Sequence, residues 1–475
     1  MARSPERMPL TIDWIVRAVG GTLLAGRGAA AAAGVSIDSR TIRRGQLYIA
    51  IRGERFDGAD FAADAVARGA MGALMPRGRG AALIGRATDG SPAAIVEVDD
   101  TTTGLQALAR QVRLESGARV VAITGSAGKT TTKEVIAQFL ETKYRVIRNR
   151  GNLNNHIGLP LSLLELTERP DVAVVELGMN HAGEIRTLVG IAEPDVRVWT
   201  NVGEAHLGFF DSVDAIADAK AEILEGGGPR SVLVANADDD RIVTRTKTFA
   251  GRMVTFGIER AADVRAEVVS DRGLDGFTAR VATSRGAADI ATALVGRANL
   301  ANVLAATAVA LEFDVPLPAI VERAAALRPA PHRGEIVRLA DGATVIDDSY
   351  NANPTATRRA LDLLVSARAD RRMAVLGEML ELGAESERLH REVGRAAAAA
   401  RIDRLFTVGG NAARAMAEAA VADGMPAESV RYFAASDEAG AAIVPLVRRG
   451  DVVLVKGSRG IRTDAVVERL KAERA

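Results

Sequence analysis

Arg119-Val-Val-Ala-Ile-Thr124 runs directly into Gly125-Ser126-Ala127-Gly128-Lys129-Thr130, and the helix-forming run Thr131 to Leu140 follows. An apolar strand, a glycine loop and a helix in that order form the setting of a phosphate-binding loop. Glycines let the backbone approach an anion, the free amides of a helix start point at it, and the helix dipole adds partial positive charge. In such a loop Lys129 reaches the β and γ phosphates and the Thr130 hydroxyl ligates Mg²⁺, while Gly125, Ser126, Ala127, Gly128 and Thr131 supply the cradle. Only Ser126 and Ala127 separate Gly125 from Gly128, where the general motif has four residues before its Gly-Lys pair.

Outward from the loop, strand-like runs at 172–176, 196–200 and 231–235 alternate with helical patterns, which implies a parallel sheet with helices on both faces. Upstream, Thr11 caps a short amphipathic helix that Gly20 and Gly21 stop, and strands near 46–51 and 94–98 flank a helical stretch at 60–68. Downstream, Pro329 and Pro331 break the chain. Strands near 344–347, 373–376, 405–408 and 452–455, with helices between them, then suggest a compact Rossmann-like block. The expectation is an α/β protein of three domains, residues 1–115, 116–328 and 329–475, the central one a P-loop ATPase domain.

Length agrees, since single cores stop growing at roughly 250–300 residues and this chain has 475. Lys and Arg (61) nearly balance Asp and Glu (60), so no long-range field draws nucleic acid or an anionic membrane. Anion binding must be local. The absence of cysteine excludes disulfides, thiolate metal sites and cysteine nucleophiles. With no apolar signal core from Met1 to Arg7 and no run of about 18 apolar residues, a cytoplasmic protein without membrane insertion is expected, as a monomer.

Three central stretches carry a resemblance: Val174 to Glu184 (Val-Val-Glu-Leu-Gly-Met-Asn-His-Ala-Gly-Glu), Thr200 to Gly208 (Thr-Asn-Val-Gly-Glu-Ala-His-Leu-Gly) and Ala219 to Ile223 (Ala-Lys-Ala-Glu-Ile). With the short phosphate loop, their order and spacing resemble the central domain of the Mur ligase family. Asp38-Ser39-Arg40, Gly45 and the segment from Gly53 to Asp60 resemble its UDP-sugar-binding domain. Asp347 to Pro354 (Asp-Asp-Ser-Tyr-Asn-Ala-Asn-Pro), Leu376 to Gly383 (Leu-Gly-Glu-Met-Leu-Glu-Leu-Gly) and Lys456 to Gly460 (Lys-Gly-Ser-Arg-Gly) resemble the branch that adds a dipeptide.

The resemblance implies an ATP-dependent carboxylate-amine ligase of peptidoglycan synthesis. It would join D-alanyl-D-alanine to UDP-N-acetylmuramoyl-tripeptide through an acyl phosphate. It further implies that Glu176 shares a Mg²⁺ with Thr130, that His206 helps bind a second, and that Lys220 is carbamylated near that metal. Asn299 and Asn302 match the adenine-contacting segment, although Ala298 stands where the family usually has His. Arg333 is expected at the γ phosphate and Asp348 at the ribose. Ser39 and Arg40 would meet the UDP end of the precursor, Asn154 and Asn155 its peptide, and Asn351, Asn353, Lys456, Ser458 and Arg459 the substrates. Two other readings stay open: a sibling ligase adding a single amino acid, and a P-loop regulatory ATPase that hydrolyses slowly and signals by conformation.

Overall fold

The structure, a computed structural model, describes residues 7–88 and 90–474. The N-terminal residues read above as lacking a signal core therefore lie, except for Arg7, outside the described residues. The chain forms two compact units: Met1–Ala122 with Tyr144–Met179 and Gly183–Arg197, and Ile123–Lys143 with Asn180–Ala182 and Val198–Ala475.

In the first unit a five-stranded sheet runs in the order Thr22–Ala25, Ala94–Val98, Gly72–Pro76, Gln46–Ile49, Gly34–Ser36. All its pairings are parallel except the edge pairing of Thr22–Ala25. Thr11 accepts from Trp14 N to start the helix Ile12–Val19, and Gly20, at φ +62°, ends it as expected. The expected helix at 60–68 is a 3-10 turn, Gly58–Phe61, leading into Ala62–Ala67. Tyr48, Ala62, Ala65, Val66, Ala73, Met75 and Ile95 form a core between sheet and helix in which alanines pack around a few large side chains. Asp100 caps the helix Thr101–Ser116, and Gly117 ends it at φ +73°. Further along this unit, Val146–Arg148 pairs in parallel with Val172–Glu176, whose five residues are all buried.

In the second unit the loop after Thr124 opens the helix Lys129–Leu140. The almost wholly buried helix Arg297–Glu312 packs against it. Val232–Asn236 pairs in parallel with Arg252–Gly257 across an intervening helix, as alternation requires, and Arg252–Gly257 pairs in parallel with Val264–Asp271 without a helix between them. The sheet then continues through Phe277–Thr283 and Gly286–Thr292 as an antiparallel meander that the alternation did not foretell. Period-two burial of Phe277, Ala279 and Val281 and a turn closed by Gly286 at φ +109° account for it.

The C-terminal sheet has six strands in the order Glu335–Arg338, Thr344–Asp348, Asp451–Lys456, Arg371–Gly377, Arg404–Val408, Val430–Phe433. Only the first pairing is antiparallel. Alternate strand residues point to opposite faces. Ile346, Ala374, Leu376, Leu405, Val452 and Leu454 join one core, and Val345, Met373, Val375, Phe406 and Val453 the other. Inserting Asp451–Lys456 between Thr344–Asp348 and Arg371–Gly377 brings the ends of these strands side by side, so the segments 348–354, 377–383 and 457–460 leave the sheet at the same edge.

Candidate active site

The glycine loop is held by residues from beyond the next strand. Asn201 accepts from Ala127 N at 2.9 Å and donates to Ala127 O at 2.9 Å, closing a two-way clamp on the loop. Ser126 N donates to Asn201 O at 3.0 Å, and Ser126 Oγ exchanges hydrogen bonds with the Gly203 backbone. The glycines are required by space as well as by conformation. A Cβ on Gly125 (φ +157°) would lie 2.0 Å from Thr200 Oγ1, and one on Gly128 (φ +80°) 2.7 Å from Asn302 Oδ1. Lys129 Nζ donates to Gly125 O at 2.8 Å, folding its charge back over the loop.

Thr130 and Thr131 lie in the first turn of the helix that begins at Lys129. Asn302, 6% exposed, accepts from Thr132 Oγ1 and donates to Asn299 Oδ1, while Asn299 Nδ2 donates to Val295 O. Asn302 therefore ties two helices together behind the loop. Asn299 is the more open of the two amides.

Glu176 closes its strand with a carboxylate only 3% exposed, and Asn154 Nδ2 donates to it at 2.6 Å. A predicted metal ligand and a predicted substrate contact are thus hydrogen-bonded partners. Asn155 Oδ1 accepts from Gly158 N at 2.8 Å, just before the helix Gly158–Leu163. Ser39 is half-buried, and the exposed Arg40 pairs with Asp38 at 2.7 Å, which pulls that carboxyl down to about 2.

His206, Lys220 and Lys129 lie within one another's electrostatic reach. Lys220, on the helix Val213–Ala221, is 1% exposed. Burial first, and then the charge of Lys129, push its amine well below the ordinary lysine range. His206 is likewise lowered, chiefly by burial. Its Nδ1 stands 2.7 Å from Glu381 Oε2, at ion-pair distance although off the line of a good hydrogen bond. Sequence reasoning assigned no role to Glu381 or Asn201, although both fall inside stretches it singled out.

At the edge of the C-terminal sheet, Lys456 Nζ meets Asp348 Oδ2 at 2.6 Å and Asn351 O at 3.0 Å. The residues expected at ribose and at substrate thus form one ion pair, its lysine 3% exposed. Arg333 Cζ lies 4.0 Å and Arg459 Cζ 5.2 Å from the centre of the Tyr350 ring. Ser458 Oγ accepts from Leu380 N at 2.9 Å, and Asn353 caps the helix Pro354–Ser366. The Asn351 side chain accepts from Ala352 N.

Among the described residues no group of three His, Asp or Glu side chains gathers to hold a metal alone. Mg²⁺ does not ask for one, because it keeps several waters and phosphate oxygens and takes one or two protein ligands. Taken one by one, the Thr130 hydroxyl and the Glu176 carboxylate are donors of the oxygen type it prefers.

Three family models cover most of the chain: the catalytic domain of the Mur ligase family over residues 32–113, the Mur ligase middle domain over 123–310, and the Mur ligase glutamate ligase domain over 332–459. The chain belongs to the Mur ligase family. Similar members include the UDP-N-acetylmuramoyl-tripeptide--D-alanyl-D-alanine ligases of Bacillus subtilis, 34% identical over 92% of this chain and 93% of that one, and of Escherichia coli, 36% identical over the same shares. A crystal structure of MurF from Acinetobacter baumannii is 31% identical, with a TM-score of 0.87 over 98% of this chain and 99% of that one. The MurF ligase of Thermotoga maritima, solved in complex with ADP, matches with a TM-score of 0.80 at 27% identity, over 92% of this chain and 97% of that one. Among the described residues no helix is long and apolar enough to cross a membrane.

Proposed function

We propose that this chain is an ATP-dependent ligase that joins D-alanyl-D-alanine to UDP-N-acetylmuramoyl-tripeptide, releasing ADP and phosphate, in the cytoplasm. The observation that carries the reading is the clamped glycine loop with Lys129 on it, beside a buried Lys220. In relatives bearing this ligase name the match spans more than nine-tenths of both chains.

An amide cannot form directly from a carboxylate, whose oxygen is a poor leaving group. The γ-phosphoryl of ATP is transferred to the terminal carboxylate of the tripeptide, giving an acyl phosphate and ADP. The dipeptide amine, having lost its extra proton, attacks the acyl carbon to form a tetrahedral intermediate. That intermediate collapses to the amide and inorganic phosphate. Two anions must be brought together in the first step, so catalysis rests on positioning and positive charge rather than on a protein nucleophile.

In this reading Gly125 to Thr131 cradle the phosphates, Lys129 and Arg333 neutralise charge developing on the γ phosphate, and Asn299, Asn302 and Asp348 hold the nucleoside. Thr130 and Glu176 hold one Mg²⁺, and His206 with a carbamylated Lys220 a second; when bound, the ions neutralise phosphate charge. Burial disfavours the ammonium form of Lys220, and the neutral amine is the form that can take up carbon dioxide. Ser39, Arg40, Asn154 and Asn155 contact the precursor, and Asn351, Asn353, Lys456, Ser458 and Arg459 the substrates' polar groups. The work divides over domains 1–115, 116–328 and 329–475.

Phosphate release from ATP and Mg²⁺ with UDP-N-acetylmuramoyl-tripeptide, with and without D-alanyl-D-alanine, tests this. Release that requires the dipeptide, and a product heavier by the dipeptide less water, is expected. Product only with a single amino acid reassigns the chain to a sibling activity. Hydrolysis indifferent to every acceptor returns it to a regulatory ATPase.

A further inference from the structure

Glu381 plays no part in the reading above, yet its carboxylate is what the fold sets against the His206 imidazole, 2.7 Å from Nδ1. We propose that Glu381 is a positioning residue: a small turn of the His206 ring brings Nδ1–H into line with the carboxylate that already stands beside it, and that bond fixes the tautomer whose Nε2 carries the free lone pair. The inference rests on the proposed role of His206 as a ligand.

Backbone geometry argues against a casual surface pair. His206 sits at φ +65° and Glu381 at φ +66°, both in the left-handed region that costs an ordinary residue free energy. An ion pair open to water contributes too little to hold two such residues facing each other. Other contacts hold them. Gly208 N donates to Glu381 O at 2.8 Å, so the backbone on each side of the pair is fixed to the other. The two segments touch glycine to glycine: a Cβ on Gly208 would lie 2.7 Å from Gly383 N, and one on Gly383 2.7 Å from Gly208 Cα. Leu207 packs against the C-terminal core, and Phe209 stacks edge-on to His181 at 4.9 Å. The loop carrying His206 is thus docked on the segment carrying Glu381 by contacts that neither side chain makes itself.

Tautomer choice matters to a ligand. An imidazole that binds a cation does so as the neutral ring, with one nitrogen protonated and the other free to donate a lone pair. A ring free to choose would present N–H to a cation part of the time. A carboxylate at Nδ1 removes that choice, as carboxylate partners do for metal-bound histidines.

The test uses the full chain labelled with ¹⁵N-histidine. It has five histidines, so the long-range ¹H–¹⁵N spectrum is simple, and the His206 signals are those lost in His206→Asn, a residue that tolerates the left-handed backbone. The wild type is expected in the Nδ1–H form, and Glu381→Gln, whose amide oxygen still accepts, should keep it. Glu381→Gly removes the acceptor while suiting φ +66°, and should shift His206 towards Nε2–H. Mn²⁺ affinity, read by electron paramagnetic resonance with ADP present, should fall about 10-fold or more in Glu381→Gly and little in Glu381→Gln. An Nε2–H or charged ring in the wild type, or an unchanged Nδ1–H form in Glu381→Gly, overturns the proposal. Unchanged Mn²⁺ affinity in His206→Asn removes the ligand role of His206, while the tautomer comparison still decides what Glu381 does.

Discussion

Lys129 rests on the carbonyl of Gly125, four residues before it, so the cation that is to meet phosphate already lies over the loop. Replacing it removes charge from the reacting end of ATP and nothing from a core. Lys129→Ala is therefore expected to lower ligase turnover by about 10²–10³-fold or more with an unchanged far-UV dichroism spectrum; retained turnover removes the loop from the chemistry. Lys220 makes the complementary case. Burial disfavours the charged form of its amine, so under bicarbonate its peptide should gain the mass of carbon dioxide in native-condition mass spectrometry, and carbon-dioxide-free buffer should slow turnover reversibly. No mass gain and no response to bicarbonate would leave Lys220 an ordinary buried lysine. The loop residues were legible in the sequence because one local stretch contains all of them. Asn201 and Glu381 were not, because a clamp or a carboxylate partner is defined by what the fold brings to it, and a lone Asn or Glu carries no spacing signal.

Strands with continuous apolar runs, such as Arg119–Thr124, Val172–Glu176 and Asp451–Lys456, could be read directly, since strands buried on both faces need apolar residues throughout. Thr22–Ala25, Glu335–Arg338 and Val430–Phe433 escaped because they lie at sheet edges, are short, and contain no fully buried residue. The element that tests this level best is Gln46–Ile49, where the 2%-exposed Tyr48 donates its hydroxyl to Gly58 O at 2.9 Å and so ties the strand to the turn that follows. Burial, with Asp38 and Asp57 adding repulsion, pushes the phenol up to about 12. A raised phenol pKa means that the fold favours the neutral form; that stability is whole below the unfolded value of about 10 and is lost as pH rises towards 12. Between pH 9 and 11 the wild type should lose about 1 kcal/mol relative to Tyr48→Phe in urea unfolding. A difference independent of pH would place the Tyr48 hydroxyl in contact with water.

Several cores in one chain should not unfold as a single step, and the separate sheets of the first unit and the C-terminal block make more than one calorimetric transition the expectation. Ligand linkage then becomes a map of which cores hold the nucleotide. A ligand at about 100 times its dissociation constant stabilises whatever binds it by about 2.7 kcal/mol. The proposed nucleotide contacts come from the loop at 125–131 and from Arg333 and Asp348, so a non-hydrolysable ATP analogue with Mg²⁺ should raise the melting of both the central and the C-terminal blocks. The block around Gln46–Ile49 supplies none of those contacts and should melt where it did before, while UDP should move that block alone. Lys129→Ala should erase the nucleotide shift and keep the UDP shift, separating loss of phosphate binding from general instability. If the analogue moves only one transition, the central block binds the nucleotide alone, and Arg333 and Asp348 must be sought at the substrate instead.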